Sequence, residues 1–149
     1  MSKPQSMSES QSMSEPKSQT DNQYLNYHLR LARDLAHQAQ QQFPFIADDC
    51  CEEDLAFINQ LAALPGQHAE PDFLFDGQQL LCRIITTYPH ITPLIHRDLL
   101  WFFGGDCLHY MPDEEITHYQ ALDDRRQEAE QNGTPFSYED ERAKIMGLH

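Results

Sequence analysis

The sequence contains few basic residues. Lys and Arg number 10 against 24 Asp and Glu, which gives a formal net charge of −14. Between Arg33 and Arg83 there is no basic residue at all, although nine acidic residues lie in that interval. A chain so charged repels phosphate backbones and anionic lipid head groups. We therefore expect no direct nucleic-acid binding and no membrane binding, and a charged partner should be a basic protein.

Long apolar runs and a cysteine framework are also missing. No stretch approaches the roughly 18 apolar residues of a membrane-spanning helix, and the first residues lack the apolar core of a secretory signal. The four cysteines do not suggest a disulfide scaffold, and the adjacent Cys50 and Cys51 cannot easily bridge each other. These absences predict a cytoplasmic protein with reduced thiols.

The N-terminal segment is low in complexity. Residues 1–21 consist mainly of Ser, Gln, Met, Glu and Pro, with a unit QSMSES followed by QSMSEP. Such a composition buries too little apolar surface to offset the entropy of ordering. We predict a disordered arm over residues 1–21 and a single helical domain over residues 22–149.

The rest of the chain is patterned for helices. Apolar residues recur at helical spacing, and the helix boundaries carry caps, prolines or glycines. This predicts an all-α fold, an irregular or orthogonal bundle of about five to six helices. The predicted helices run from Asn22, capped by Asp21 or Asn22, to before Phe43; from after Asp49 to before Pro65; from Gln78 to Tyr88; from Thr92 as N-cap to Phe103; from Pro112 to Asn132; and from Ser137 as N-cap to Met146.

Two parts of this pattern are less regular. Residues 65–76 contain two prolines and a glycine and are typical of a long loop, whose Phe73, Leu74 and Phe75 we expect to turn inward. The Ile-Ile-Thr-Thr run at residues 84–87 has strand propensity, so a strand is the alternative for the third helix.

The densest apolar run, residues 98–112, should be the hub of the fold. It contains the single tryptophan and closes on Gly104-Gly105, a left-handed stop for the helix before it. Trp101, Phe102 and Phe103 are most simply core side chains. The alternative is a partner-binding aromatic groove that accepts an amphipathic helix.

Three carboxylate-x-x-histidine pairs suggest a metal site. On a helix this spacing puts both side chains on one face, as in dimetal helical bundles. The six candidate ligands are Asp34, His37, Asp106, His109, Glu115 and His118. With this many acids the pairs can arise by chance, so the favoured interpretation is that no cofactor binds, and Fe or Zn is the alternative.

The cysteines offer weaker chemistry. Cys107-x-His109 with Cys50-Cys51 lacks the paired spacing of structural zinc sites. A Cys107-His109 nucleophile is possible, but residues two apart need not face each other. Partly buried free thiols are the simpler interpretation.

The stretch from Leu99 to Ile116, LLWFFGGDCLHYMPDEEI, together with the closing Gly147-Leu148-His149, resembles a family of small acidic uncharacterised proteins of gammaproteobacteria. The resemblance implies no activity. From the residues, the leading hypothesis is a non-enzymatic regulatory or adaptor module that binds another protein. The alternatives are a carboxylate-histidine metalloprotein or oxidoreductase, and an acidic mimic of nucleic acid.

Overall fold

The structure is a computed structural model that describes residues 19–147. Over that span the chain forms α-helices and short 3₁₀ helices and no strand, which confirms the all-α prediction and rules out the strand alternative at residues 84–87. The α-helices are α1 (Gln19–Ala39), α2 (Glu52–Ala63), α3 (Phe73–Thr87), α4 (Arg97–Phe103), α5 (Asp113–Asn132) and α6 (Tyr138–Met146). The 3₁₀ helices are Leu64–Gln67, Pro89–Leu94 and Gly105–Tyr110.

The predicted arm lies largely outside the described residues, which begin at Gln19. Its last three positions, 19–21, belong to α1, so the predicted helix start at Asn22 and the capping role of Asp21 or Asn22 are wrong. Among the described residues, no helix has the length and apolar character needed to cross a membrane.

The chain divides into two compact units. Among the described residues, the central unit comprises residues 26–121, and the terminal unit joins residues 19–25 with residues 122–147. The single-domain boundary at residue 22 stays a prediction. Most of the buried apolar side chains belong to the central unit, where α1, α2, α3 and α4 contribute fully buried residues such as Ala39, Phe57, Ile84 and Leu99.

The third α-helix begins earlier than predicted, at Phe73 instead of Gln78. Gly77 lies inside the helix, where glycine is normally unfavourable. Here the missing side chain is required, since a Cβ at Gly77 would overlap the Phe103 ring. The prediction that Phe73, Leu74 and Phe75 all turn inward is wrong for two of them, because Phe73 is buried while Leu74 and Phe75 are exposed.

The fourth helix begins later than predicted. Thr92-Pro93 belongs to the 3₁₀ helix Pro89–Leu94, Ile95 is extended, and the N-cap of α4 is His96. The His96 Nδ1 atom accepts a hydrogen bond from the backbone N–H of Asp98 at 3.2 Å. The predicted Thr92 cap is therefore wrong, because the extended Ile95 separates the proline turn from the helix and places its own side chain in the core.

The helix ends that follow match their sequence signals. Gly104 ends α4 at φ 66°, and Ser137 caps α6 by accepting a hydrogen bond from the backbone N–H of Asp140. Pro112 immediately precedes α5, which ends at Asn132 before Gly133. The connector between Gly104 and α5 contains the 3₁₀ helix Gly105–Tyr110.

In the terminal unit, one glutamine bonds to the start of the last helix. The Gln23 side chain donates to the carbonyl oxygen of Phe136 at 2.8 Å and accepts from the backbone N–H of Tyr138 at 2.9 Å. Tyr24 contacts the buried Tyr138 ring edge-on, with centroids 5.4 Å apart. The Arg126 guanidinium lies 4.0 Å from the Tyr24 ring centroid. These contacts join the first turns of α1 to α5 and α6.

Candidate functional site

The six predicted metal ligands lie on three elements. Asp34 and His37 are exposed on α1, and His37 contacts the Gln41 amide at 3.2 Å. Asp106 and His109 are exposed on the 3₁₀ helix Gly105–Tyr110. Glu115 and His118 are half-buried on α5.

Glu115 is already paired with a cation of the protein. Its carboxylate accepts two hydrogen bonds from the Arg97 guanidinium, at 3.0 Å from Nε and 2.7 Å from Nη2. The hydrogen bonding with Glu115 raises the pKa of Arg97. The second guanidinium nitrogen also donates to the Tyr110 carbonyl oxygen at 3.0 Å. A metal at Glu115 would have to displace this bidentate pair.

Across the span from residue 19 to residue 147, no group of three or more His, Cys, Asp and Glu side chains has an arrangement that could hold a metal ion. The metal site stays a prediction, and elemental analysis of untagged protein tests it. Metal clearly below stoichiometric amounts would contradict it.

The three aromatic residues before the glycines differ in their surroundings. Phe103 is buried and contacts the Phe73 ring edge-on at 5.4 Å. Trp101 is half-buried and stacks on Tyr119 at 5.8 Å, and Phe102 is half-buried and stacks on His28 at 4.6 Å. All three rings therefore pack against residues of the central unit, and their binding of a partner stays a prediction.

A buried carboxylate lies at the start of α4. The Asp98 side chain is fully buried and accepts a short hydrogen bond from the Tyr119 hydroxyl group. The His96 Nδ1 atom lies 3.4 Å from the same carboxylate oxygen. A buried carboxylate is costly without hydrogen-bond donors, so the Tyr119 hydroxyl group stabilises Asp98. The same hydrogen bond links α5 to α4.

The segment from Phe43 to Leu55, which we name the acidic segment, follows α1 and includes the first turn of α2. It is fixed from both sides. Phe45 packs against Phe57 and Tyr88, with ring centroids 6.0 and 5.1 Å away, and the Phe43 carbonyl oxygen lies 2.6 Å from the His90 ring nitrogen. At the other end, Asp54 accepts a hydrogen bond of 2.5 Å from the Tyr88 hydroxyl group.

The acidic segment exposes apolar and charged side chains together. Phe43 is 65% exposed and Ile46 is 60% exposed, and Leu55 is exposed at the start of α2. The exposed acidic residues of the segment are Asp48, Asp49, Glu52 and Glu53. The nearest basic residues in the sequence are Arg33 and Arg83, so the segment supplies no cation of its own.

Electrostatics separates Asp54 from the other acids of the segment. The Tyr88 hydrogen bond, followed by one from Cys51, lowers the pKa of Asp54. Burial and the Asp54 hydrogen bond raise the pKa of Tyr88 to about 12. Burial and the neighbouring Asp54 raise the pKa of Cys50. Asp54 is thus a structural carboxylate that anchors the segment, whereas the four exposed acids face solvent.

Sequence reasoning missed the polar residues that pack inside the central unit. Asp98 was treated as the edge of an apolar run, and His28 was not singled out within the first helix. Asp98 lies in the first turn of α4, where an acidic residue is ordinarily exposed, so the sequence gives no signal for its burial beside Leu99 and Leu100. Its partner Tyr119 is 21 residues away, and no local pattern indicates that pairing.

Fold and surface together define a small, acidic, all-α protein. The chain belongs to the PA2817-like family, whose model matches residues 20–149. This confirms the resemblance to an uncharacterised family, and it extends the match from the stretch after Leu99 to almost the whole chain. No curated protein and no solved structure matches the chain.

Proposed function

We propose that the protein is a non-enzymatic adaptor that binds a basic partner protein through the acidic segment. The observation that carries this proposal is the exposure of Phe43 and Ile46 beside four solvent-facing acids on a segment fixed by Phe45 and Asp54. Apolar side chains supply binding energy when they are desolvated, and the surrounding charges select a partner of opposite sign.

Two features support the acidic segment over the aromatic residues as the docking surface. Trp101 and Phe102 already stack on Tyr119 and His28, so their exposed faces are limited. Phe43 and Ile46, by contrast, are mostly exposed although their neighbours are fixed. A fixed surface loses less conformational entropy on binding than a mobile one.

The partner implied by this chemistry presents Lys or Arg side chains around a small apolar pocket. Charge pairing at the rim mainly changes the association rate and its salt dependence, whereas the apolar contacts determine the dissociation rate. Complex formation should therefore weaken as salt increases, without being abolished.

The test is affinity capture with four versions of the full chain as bait. The first bait is the wild type, and the second neutralises the acidic segment with Asp48→Asn, Asp49→Asn, Glu52→Gln and Glu53→Gln. The third bait removes the exposed apolar side chains with Phe43→Ser and Ile46→Ser. The fourth bait is a control of equal charge change and carries Asp113→Asn, Glu114→Gln, Asp124→Asn and Glu128→Gln. The control positions are also exposed acids, two of them in the first turn of α5.

We expect a basic protein that the wild type and the α5 control retain and that both acidic-segment variants lose. Equal retention by all four baits would contradict the proposal. Equal loss from the two neutralised baits would show attraction to overall charge alone, which also contradicts it. Competition of the captured protein by duplex DNA would favour the nucleic-acid mimic instead.

A further inference from the structure

Two cysteines from distant parts of the sequence meet in the central unit. Cys82 is half-buried on α3, and Cys107 is fully buried on the 3₁₀ helix Gly105–Tyr110. The Cys107 Sγ atom contacts the carbonyl oxygen of Gln78 at 3.9 Å. Gln78 lies one helical turn before Cys82, and side chains on an α-helix tilt toward the preceding turn. Both thiols therefore lie over the same turn of α3, and the Cys82 thiol is close enough to contribute to the pKa of Cys107.

Other contacts fix the 3₁₀ helix against this turn. The Gln78 amide donates to the Phe103 carbonyl oxygen at 2.9 Å, and a Cβ at Gly105 would overlap the Gln78 side chain. The Phe103 ring covers Gly77, the preceding residue of α3. The 3₁₀ helix that carries Cys107 is thus held against the turn of α3 that precedes Cys82.

We propose that Cys82 and Cys107 form a reversible intramolecular disulfide when the protein meets a low-molecular-weight disulfide such as glutathione disulfide. The half-buried Cys82 is the thiol that reagents reach, and the buried Cys107 completes the reaction. The pair is independent of the adjacent Cys50 and Cys51, which lie before α2. The proposal concerns a modification site and does not depend on the adaptor function.

The reaction proceeds in two balanced exchanges. The Cys82 thiolate attacks one sulfur of glutathione disulfide, which forms a mixed disulfide and releases one glutathione thiolate. The Cys107 thiolate then attacks the Cys82 sulfur, which forms the protein disulfide and releases the second glutathione thiolate. The two protons lost by the protein thiols end on the two glutathione molecules, and the two electrons of the protein thiols reduce the glutathione disulfide.

The two steps should differ in rate. Burial, with a contribution from the neighbouring Cys82, raises the pKa of Cys107 to about 12. Because only the thiolate attacks, the second step should be slow at neutral pH and should accelerate about tenfold per pH unit. A mixed disulfide at Cys82 should therefore accumulate first near neutral pH.

The test uses the full chain with Cys50→Ser and Cys51→Ser, which leaves the proposed pair. Serine at residue 51 suits the N-cap of α2, so this variant should fold. After addition of glutathione disulfide, the intact mass should first increase by one bound glutathione. That glutathione should then be released, which leaves a protein lighter than the starting protein by two hydrogens. Peptide mapping should join Cys82 to Cys107, and the second step should accelerate about tenfold per unit from roughly pH 7 to pH 9.

Two comparisons make the result decisive. Adding Cys107→Ala should stop the reaction at one bound glutathione. Adding Cys82→Ser should greatly slow the attachment of glutathione to the protein. Wild type, mapped in parallel, should show the same joined peptide. A mixed disulfide that persists at about pH 9 while far-ultraviolet circular dichroism remains native would overturn the proposal, as would two glutathiones on one folded molecule.

Discussion

The Phe103 ring fills the space that a side chain at residue 77 would occupy, so α3 and α4 pack together through a glycine. Phe103 itself is 3% exposed, and its ring also contacts Phe73 and Phe102. The ring is therefore packed against Gly77, Phe73 and Phe102. The glycine at residue 77 is therefore a packing requirement of the central unit.

Replacing Gly77 with Ala should destabilise the protein. Alanine in a helix gains about 1 kcal/mol over glycine. Overpacking costs about 1–3 kcal/mol, and the upper end of that range applies here because a Cβ would lie within 2.7 Å of three ring atoms of Phe103. We expect a net loss of about 2 kcal/mol in the free energy of unfolding, measured with urea.

Gly66 provides the matched control for that substitution. Nothing lies within 4 Å of a Cβ at Gly66, so Gly66→Ala should change stability little. Phe103→Leu should relieve part of the effect of Gly77→Ala, because neighbouring substitutions are not additive. Equal losses from Gly77→Ala and Gly66→Ala would refute the packing argument.

Tyr119→Phe should lower the free energy of unfolding, because it removes a hydrogen-bond donor from the buried Asp98 carboxylate. The substitution keeps the ring that stacks on Trp101 but removes the hydroxyl donor. A hydrogen bond to a charged group contributes about 1.5–3 kcal/mol, and we expect a loss of that size in urea unfolding. Tyr110→Phe, at an exposed tyrosine, should cost far less. A similar effect at the two positions would argue against this role for Tyr119.

Sequence patterns predicted the helices whose ends depend on local chemistry. Gly104, Ser137 and Gly147 act within one turn of their own helix, so their effect can be read from neighbouring residues. The starts of α3 and α4 could not be read in this way. Gly77 is tolerated because of Phe103, 26 positions later in the chain, and the turn at Thr92 is separated from α4 by the extended Ile95.

The candidate sites show the same limit. Charge and composition indicated an acidic surface, and the four exposed acids of the acidic segment agree with that. Carboxylate and histidine spacing cannot reveal that Glu115 is paired with Arg97, because that partner comes from another helix. Likewise, the meeting of Cys82 and Cys107 depends on tertiary packing and has no spacing signature.

The Tyr88 to Asp54 hydrogen bond predicts a pH-dependent contribution to stability. The bond lowers the folded-state pKa of Asp54, so its contribution is present above the unfolded pKa of about 3.9 and is lost as pH falls through the lower folded value. The stability difference between wild type and Tyr88→Phe should therefore be largest above about pH 5 and shrink in stronger acid.

Urea unfolding at several pH values measures that difference. Asp54→Asn keeps an acceptor for Tyr88 but cannot titrate, so the stability of this variant should fall less steeply in acid than that of wild type. A stability difference between wild type and Tyr88→Phe that stays constant over the acid range would show that the protonation of Asp54 is not coupled to its hydrogen bond with Tyr88.

In the terminal unit, the Gln23 amide should control the stability of α6. Its two hydrogen bonds reach the backbone at Phe136 and Tyr138, where the helix begins. Gln23→Ala should leave these groups without their partner and cost about 1–3 kcal/mol. Hydrogen exchange should show faster exchange of the backbone amides in residues 138–146, because local unfolding of α6 becomes easier. Asn22→Ala, one position earlier at an exposed side chain, should leave that exchange unchanged, and equal acceleration in both variants would show that Gln23 has no special role.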